Sequence, residues 1–193
     1  MVRNCGDNML KKIKQLDDEL IQKVAKIHTP FLNSFMRTLT FLGDHGKIWA
    51  VVWLSISFYR KSLYVLLSIL ISVLFAFISS EVIIKRIVAR VRPCHKIDEE
   101  LLVLKKIPKF YSFPSSHSAS SFAMVLMTSM YCNGWITLAM LILAIGISFS
   151  RFYLQAHYLT DVLCGIIIGL ICTFLMSRVV YAAFLSVAPE MIV

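Results

Sequence analysis

Between residues 63 and 84 the only charged side chain is Glu81. Wound as a helix at about 1.5 Å per residue, such a run is long enough to cross the ~30 Å hydrocarbon core of a bilayer. Two further apolar runs, 117–132 and 134–150, are joined by a turn at Asn133-Gly134, and another extends over 159–185. A shorter run, 47–59, can span only by borrowing its flanks, and the Arg60-Lys61 pair reads as a tight charged loop. The pattern predicts an all-α polytopic membrane helical bundle of five spans, with four or six as the alternatives. Composition agrees: 58% of the residues are hydrophobic, 16% are charged and the mean hydropathy is +0.75. A soluble domain would be about a quarter charged.

The first 29 residues are different. Leu10, Ile13, Leu16, Leu20, Ile21, Val24 and Ile27 recur at helical spacing, with Lys11, Lys12, Lys14 and Lys23 largely on other faces. That is the pattern of an amphipathic helix lying on a membrane surface, or of a solvated helix packed on the bundle ends. No apolar h-region is present there, so a cleavable signal peptide is not expected. Pro30 should end this element, and 31–43, with Asn33 and Arg37, is too short and polar for a span. Asp44-His45-Gly46 is turn chemistry with Asp44 as a helix N-cap. One domain over 1–193 is expected, with 1–43 as a surface segment and 44–193 as the bundle.

Three polar clusters fall at span ends, where charge needs a reason to be. Lys85 and Arg92 lie two helical turns apart, and Pro93 biases Arg92 out of helical geometry. Glu81 stands one turn before Lys85, the favourable order for an ion pair. The second cluster, Ser112-Phe113-Pro114-Ser115-Ser116-His117-Ser118, announces a helix start whose free N–H groups suit an anion. The third is the stretch from Ser150 to Asp161, with Arg151, His157 and Asp161 between two apolar runs. Taken singly, each cluster also reads as snorkelling cations, a capping histidine or a helix-end pair. The Gly165-Ile-Ile-Ile-Gly169 run reads as a close helix contact.

Lys85-x6-Arg92-Pro93, Pro114-Ser115-Ser116-His117 and Ser150-Arg151-x5-His157-x3-Asp161 together resemble the three-part signature of the type 2 phosphatidic acid phosphatase family. The vanadium haloperoxidases and several bacterial acid phosphatases share that signature. One departure is plain: Ser116 stands where the second motif usually has glycine. The resemblance implies that His157 is the nucleophile, that Asp161 orients its other ring nitrogen, and that His117 is the general acid and base. Lys85, Arg92, Ser115, Ser116 and Arg151 would bind the phosphate, the serines through backbone amides. No metal or other cofactor is implied. Because the clusters lie at span ends, the substrate would be a lipid phosphate or diphosphate; the resemblance implies undecaprenyl diphosphate, phosphatidylglycerophosphate or phosphatidic acid. The competing reading is a non-catalytic lipid-headgroup-binding membrane protein or small transporter.

The remaining features set partners and place. A net charge of +9 suits anionic lipid or phosphate, and no soluble basic face is left over for nucleic acid. The cysteines, Cys5, Cys94, Cys132, Cys164 and Cys172, show no metal spacing and read as packing residues. His28, His45 and His95 read as surface or turn residues, and Asp98, Glu99 and Glu100 as a solvated loop face. With five spans, only Arg60, Lys61 and Arg178 among the basic residues lie opposite the clusters, which literally favours a cytoplasmic site. Several of those charges would exist to hold phosphate, and the resemblance implies an outer-face site. The expectation is therefore a multi-pass cell-membrane protein with an extracytoplasmic active site.

Overall fold

The computed structural model describes residues 2–97, 102–104, 107–108 and 111–191. Asp98, Glu99 and Glu100 lie outside the described residues, as do the side chains of Cys5 and His45. Among the described residues eight α-helices follow one another: α1 (Val2–Ala25), α2 (Pro30–Gly43), α3 (Lys47–Arg60), α4 (Leu63–Ile78), α5 (Lys85–Val88), α6 (Ser116–Tyr131), α7 (Gly134–Tyr153) and α8 (Leu159–Val187). A π-helical stretch, Ser79–Ile84, carries α4 into α5 without a break. Leu63–Lys96, Gly134–Tyr153 and Leu159–Val187 are long and apolar enough to cross a membrane. The chain is a membrane protein.

Local chemistry places most of the boundaries. Ser62, Ser115 and Asn133 cap α4, α6 and α7 by accepting the N–H groups of Val65, Ser118 and Ile136. Thr29 caps α2 through the Leu32 N–H, so Pro30, instead of only ending α1, opens the next helix at N1. Asp44 does not cap α3. It sits in the 3₁₀ turn Asp44–Gly46, and α3 starts from Gly46 at φ +67, a left-handed conformation that costs glycine nothing.

Helix α6 is the centre of the bundle and packs against α4, α7 and α8. Its contact with α8 is set by the two glycines at helical spacing. A Cβ on Gly165 would stand 2.4 Å from the Ser115 carbonyl oxygen, and one on Gly169 would stand 2.3 Å from that of Ala119. The backbones touch because nothing intervenes. Trp49, Ile69, Met124, Met127 and Ile147 form the main core, and Trp49 donates its indole N–H to Ser121 Oγ at 3.0 Å. A second core gathers Ile21, Val24, Met36, Tyr153, Tyr158 and Val162, joining α1 and α2 to the site end of α7 and α8. Outward faces stay apolar, with Phe58, Trp135, Ile142, Ile167 and Leu175 exposed.

Candidate active site

The ends of α5 and α7 and the beginnings of α6 and α8 meet at one end of the bundle. Backbone bonds tie them: Ser115 N–H to the Asp161 carbonyl (3.0 Å) and Cys94 N–H to the Gln155 carbonyl (3.1 Å). Lys85, Arg92, Arg151, Ser116, His157 and Asp161 are all buried there. The three sequence clusters therefore converge.

His157 lies in the 154–158 link between α7 and α8, just before the α8 cap residue Tyr158. Its Nδ1 donates to the Ser112 carbonyl at 2.6 Å, and its Nε2 faces Arg92 Nη1 at 3.0 Å. A carbonyl only accepts and a guanidinium only donates, so the proton is on Nδ1 and the lone pair on Nε2. Arg92 is held in place by the Ala156 carbonyl, which accepts from the same Nη1 at 2.9 Å. Burial, with the charges of Arg92, Arg151 and Lys85 around it, keeps His157 well below the ordinary imidazole range. The ring is neutral at pH 7.

Asp161 and Ser115 have partners beyond the expected ones. Asp161 Oδ2 stands 3.8 Å from His157 Nδ1, and the Ser112 carbonyl takes the hydrogen bond expected of it. The Asp161 carboxylate instead accepts the Tyr158 N–H at 2.9 Å and Arg90 at 2.7 Å, closing the first turn of α8. The Ser115 amide is committed to the Asp161 carbonyl and its hydroxyl oxygen caps α6 by accepting the Ser118 N–H, so Ser115 is part of the frame and its amide is not offered to an anion. Ser116 and His117 occupy the first positions of α6, whose N–H groups have no intrahelical acceptor.

The cations have set partners. Lys85 pairs with Glu81, as their spacing predicts, and Glu81 also reaches the Ser116 hydroxyl. Arg151 Nη1 donates to Thr40 Oγ1 at 2.7 Å and lies 3.9 Å from Asp44 Oδ1; its Nε has no hydrogen-bond partner among the described residues. His117 Nε2 meets Asp44 Oδ1 at 2.9 Å. Gly43 permits this approach, since a Cβ there would press to 2.7 Å of Ile147 Cγ2 and 3.3 Å of His117 Cδ2.

Sequence reasoning missed Asp44, Arg90, Asp17 and the Ser112 carbonyl. Asp17 carried a signal: it interrupts the apolar face of α1 midway between Ile13 and Ile21. Asp44 carried none beyond turn chemistry, because its partner lies in a distant helix. Beside His117 a cavity of about 460 Å³ opens between α3, α4 and α6. Trp49, Trp53, Ile69, Val73, Phe77 and Met124 line it, and Ser116, Ser120 and His117 supply its polar side chains. An apolar slot thus opens beside the start of α6, where Ser116 and His117 stand.

The model of the PAP2 superfamily matches residues 61–185. The chain belongs to the PAP2 superfamily. Within it, the chain is 26% identical over 174 residues to the lipid A 4'-phosphatase of Bacteroides thetaiotaomicron, covering 83% of this chain and 75% of that one. It is 27% identical over 166 residues to the undecaprenyl-diphosphatase of Sulfolobus acidocaldarius, covering 83% and 77%. The crystal structure of the first transmembrane PAP2 type phosphatidylglycerolphosphate phosphatase from Bacillus subtilis superposes with a TM-score of 0.66 at 24% identity, covering 86% of this chain and 85% of that one. This PAP2 chain shares their fold, and by family it is a phosphoric-ester hydrolase.

Proposed function

We propose that this PAP2 protein hydrolyses a lipid phosphate or diphosphate at the membrane surface through a phosphohistidine on His157. The observation that carries the reading is the fixed tautomer of His157, with Nδ1–H on the Ser112 carbonyl and Nε2 directed at the cationic cluster. In the first step Nε2 bonds to phosphorus and the bond from phosphorus to the leaving oxygen breaks. His117 donates a proton to that oxygen; with its Nε2 on Asp44, Nδ1 is the nitrogen left to exchange it. In the second step water attacks phosphorus, His117 takes its proton, and the P–N bond breaks to free His157. Arg92, Arg151, Lys85 and the first amides of α6 spread the charge of the three equatorial oxygens. Asp161, the nearest buried anion, faces the imidazolium while it carries the phosphoryl group.

The apolar cavity beside His117 supports a lipid over a soluble ester, since a hydrocarbon tail fits where a sugar or nucleoside would leave its polar groups unpaired. Undecaprenyl diphosphate, phosphatidylglycerophosphate and phosphatidic acid remain the substrates of choice, joined by lipid A through the Bacteroides relative. We read five spans, α3, α4–α5, α6, α7 and α8, with α1 at the interface; the length and apolarity of α4–α5, α7 and α8 support the reading, and the family resemblance favours a site at headgroup depth on the extracytoplasmic face. A cytoplasmic amino terminus, found with compartment-sensitive tags, would reverse that side.

The test is phosphate release from these lipids by purified protein in EDTA. Release by the wild type and its loss in His157→Ala, on the order of 10⁴-fold or more, is expected. Equal release by the two proteins sinks the covalent mechanism, and lipid binding without release favours a headgroup-binding protein.

A further inference from the structure

We infer that Asp17 and Arg90 are positioning residues for phosphoryl transfer, which makes the amino-terminal helix α1 a working part of the active site. The inference rests on the phosphohistidine reading above. Asp17 is 1% exposed although most of its helix neighbours are open to the surroundings. Its Oδ2 accepts from Arg90 Nη2 at 2.8 Å and from the Thr160 hydroxyl, and its Oδ1 accepts the Thr160 N–H at 3.2 Å. An acid on α1 thus caps the first turn of α8 from outside.

Arg90 completes the chain. Its Nη1 donates to Asp161 Oδ1 at 2.7 Å and to Thr160 Oγ1 at 2.8 Å, and its guanidinium lies 3.9 Å from the Tyr158 ring centroid. One guanidinium therefore clamps two carboxylates, using the fork that lysine lacks. The order of charge running toward His157 is negative, positive, negative.

That order has a consequence for the reaction. When Nε2 of His157 takes the phosphoryl group its ring becomes cationic, and Asp161 at 3.8 Å is the anion that faces it. Arg90 alone would fix Asp161 but cancel much of its field. Asp17, on the far side of the guanidinium, offsets Arg90 and leaves the imidazolium facing a net negative group. The side-chain hydrogen bonds of Asp17 and Arg90 run to each other, to Thr160 and to Asp161, so their effect belongs to turnover and not to substrate capture.

The experiment uses full-length protein in detergent micelles with dioctanoyl phosphatidic acid, and orthovanadate as a phosphate mimic. Asp17→Asn keeps the shape and removes the charge. Its kcat should fall about tenfold, with KM and the vanadate inhibition constant within about twofold of wild type. Arg90→Lys, which keeps the charge and loses the fork, should likewise lower kcat with KM and the vanadate inhibition constant little changed, and serves if Asp17→Asn does not fold. An active wild type with kcat unchanged in both variants overturns the inference alone. So does a parallel loss of kcat and vanadate affinity, which would mark α1 as a structural anchor. A wild type that releases no phosphate from any lipid overturns the phosphatase reading, and the inference with it.

Discussion

Helices α4, α6 and α8 build both ends of the bundle, and the two ends are held by different forces. At the far end Tyr64 meets Tyr131, Tyr181 and Phe184 edge to face, with centroids 6.4, 6.4 and 5.2 Å away, and the Tyr131 hydroxyl donates to Ser68 Oγ at 3.0 Å. These contacts only stabilise. At the site end the interior is given over to Lys85, Arg92, Arg151 and Asp161. Buried charges seldom add net stability over a well-packed apolar interior. Their concentration at one end marks where folding free energy has been given up for chemistry, and the close α6–α8 contact is what lets the bundle tolerate it.

Substitution can break this contrast at its hinge. Gly169→Leu forces a side chain onto the Ala119 carbonyl and should cost about 3 kcal/mol or prevent folding, read by thermal unfolding in detergent. A wild-type midpoint would show that α6 and α8 can part freely. Asp44→Asn removes the charge behind His117 and should lower kcat by roughly 100-fold while the midpoint barely moves. An unchanged kcat would detach Asp44 from catalysis. Tyr131→Phe at the far end should do the reverse, costing about 1 kcal/mol of stability with activity intact. Any loss of turnover there would mean that the two ends are coupled.

How much of this was legible in the chain follows from how each feature is encoded. Apolar runs announce helices because burial is periodic, and Ser115 and Asn133 mark their starts because a cap is a local event. Pro93 likewise gave away the extended Arg92, which has φ −72 and ψ 151. The contacts of Asp44 with His117 and of Asp17 with Thr160 join residues 73 and 143 positions apart, and spacing carries no trace of them. The acceptor of the His157 Nδ1–H was hidden for a related reason. A carboxylate four residues after a histidine suggests a partner, yet a main-chain carbonyl, that of Ser112, reached the ring first. Carbonyls are present at every position, so sequence cannot single one out.

His157, the proposed nucleophile, rides on the short connector 154–158, whose two ends are pinned by the last turn of α7 and the first turn of α8. That connector has no slack. Lengthening it by a single residue would swing the imidazole away from both Ser112 and Arg92, whereas none of the proposed site residues falls among the described residues between Lys96 and Tyr111. Natural variation in loop length, and any engineered insertion, should therefore be accommodated in the latter and refused in the former.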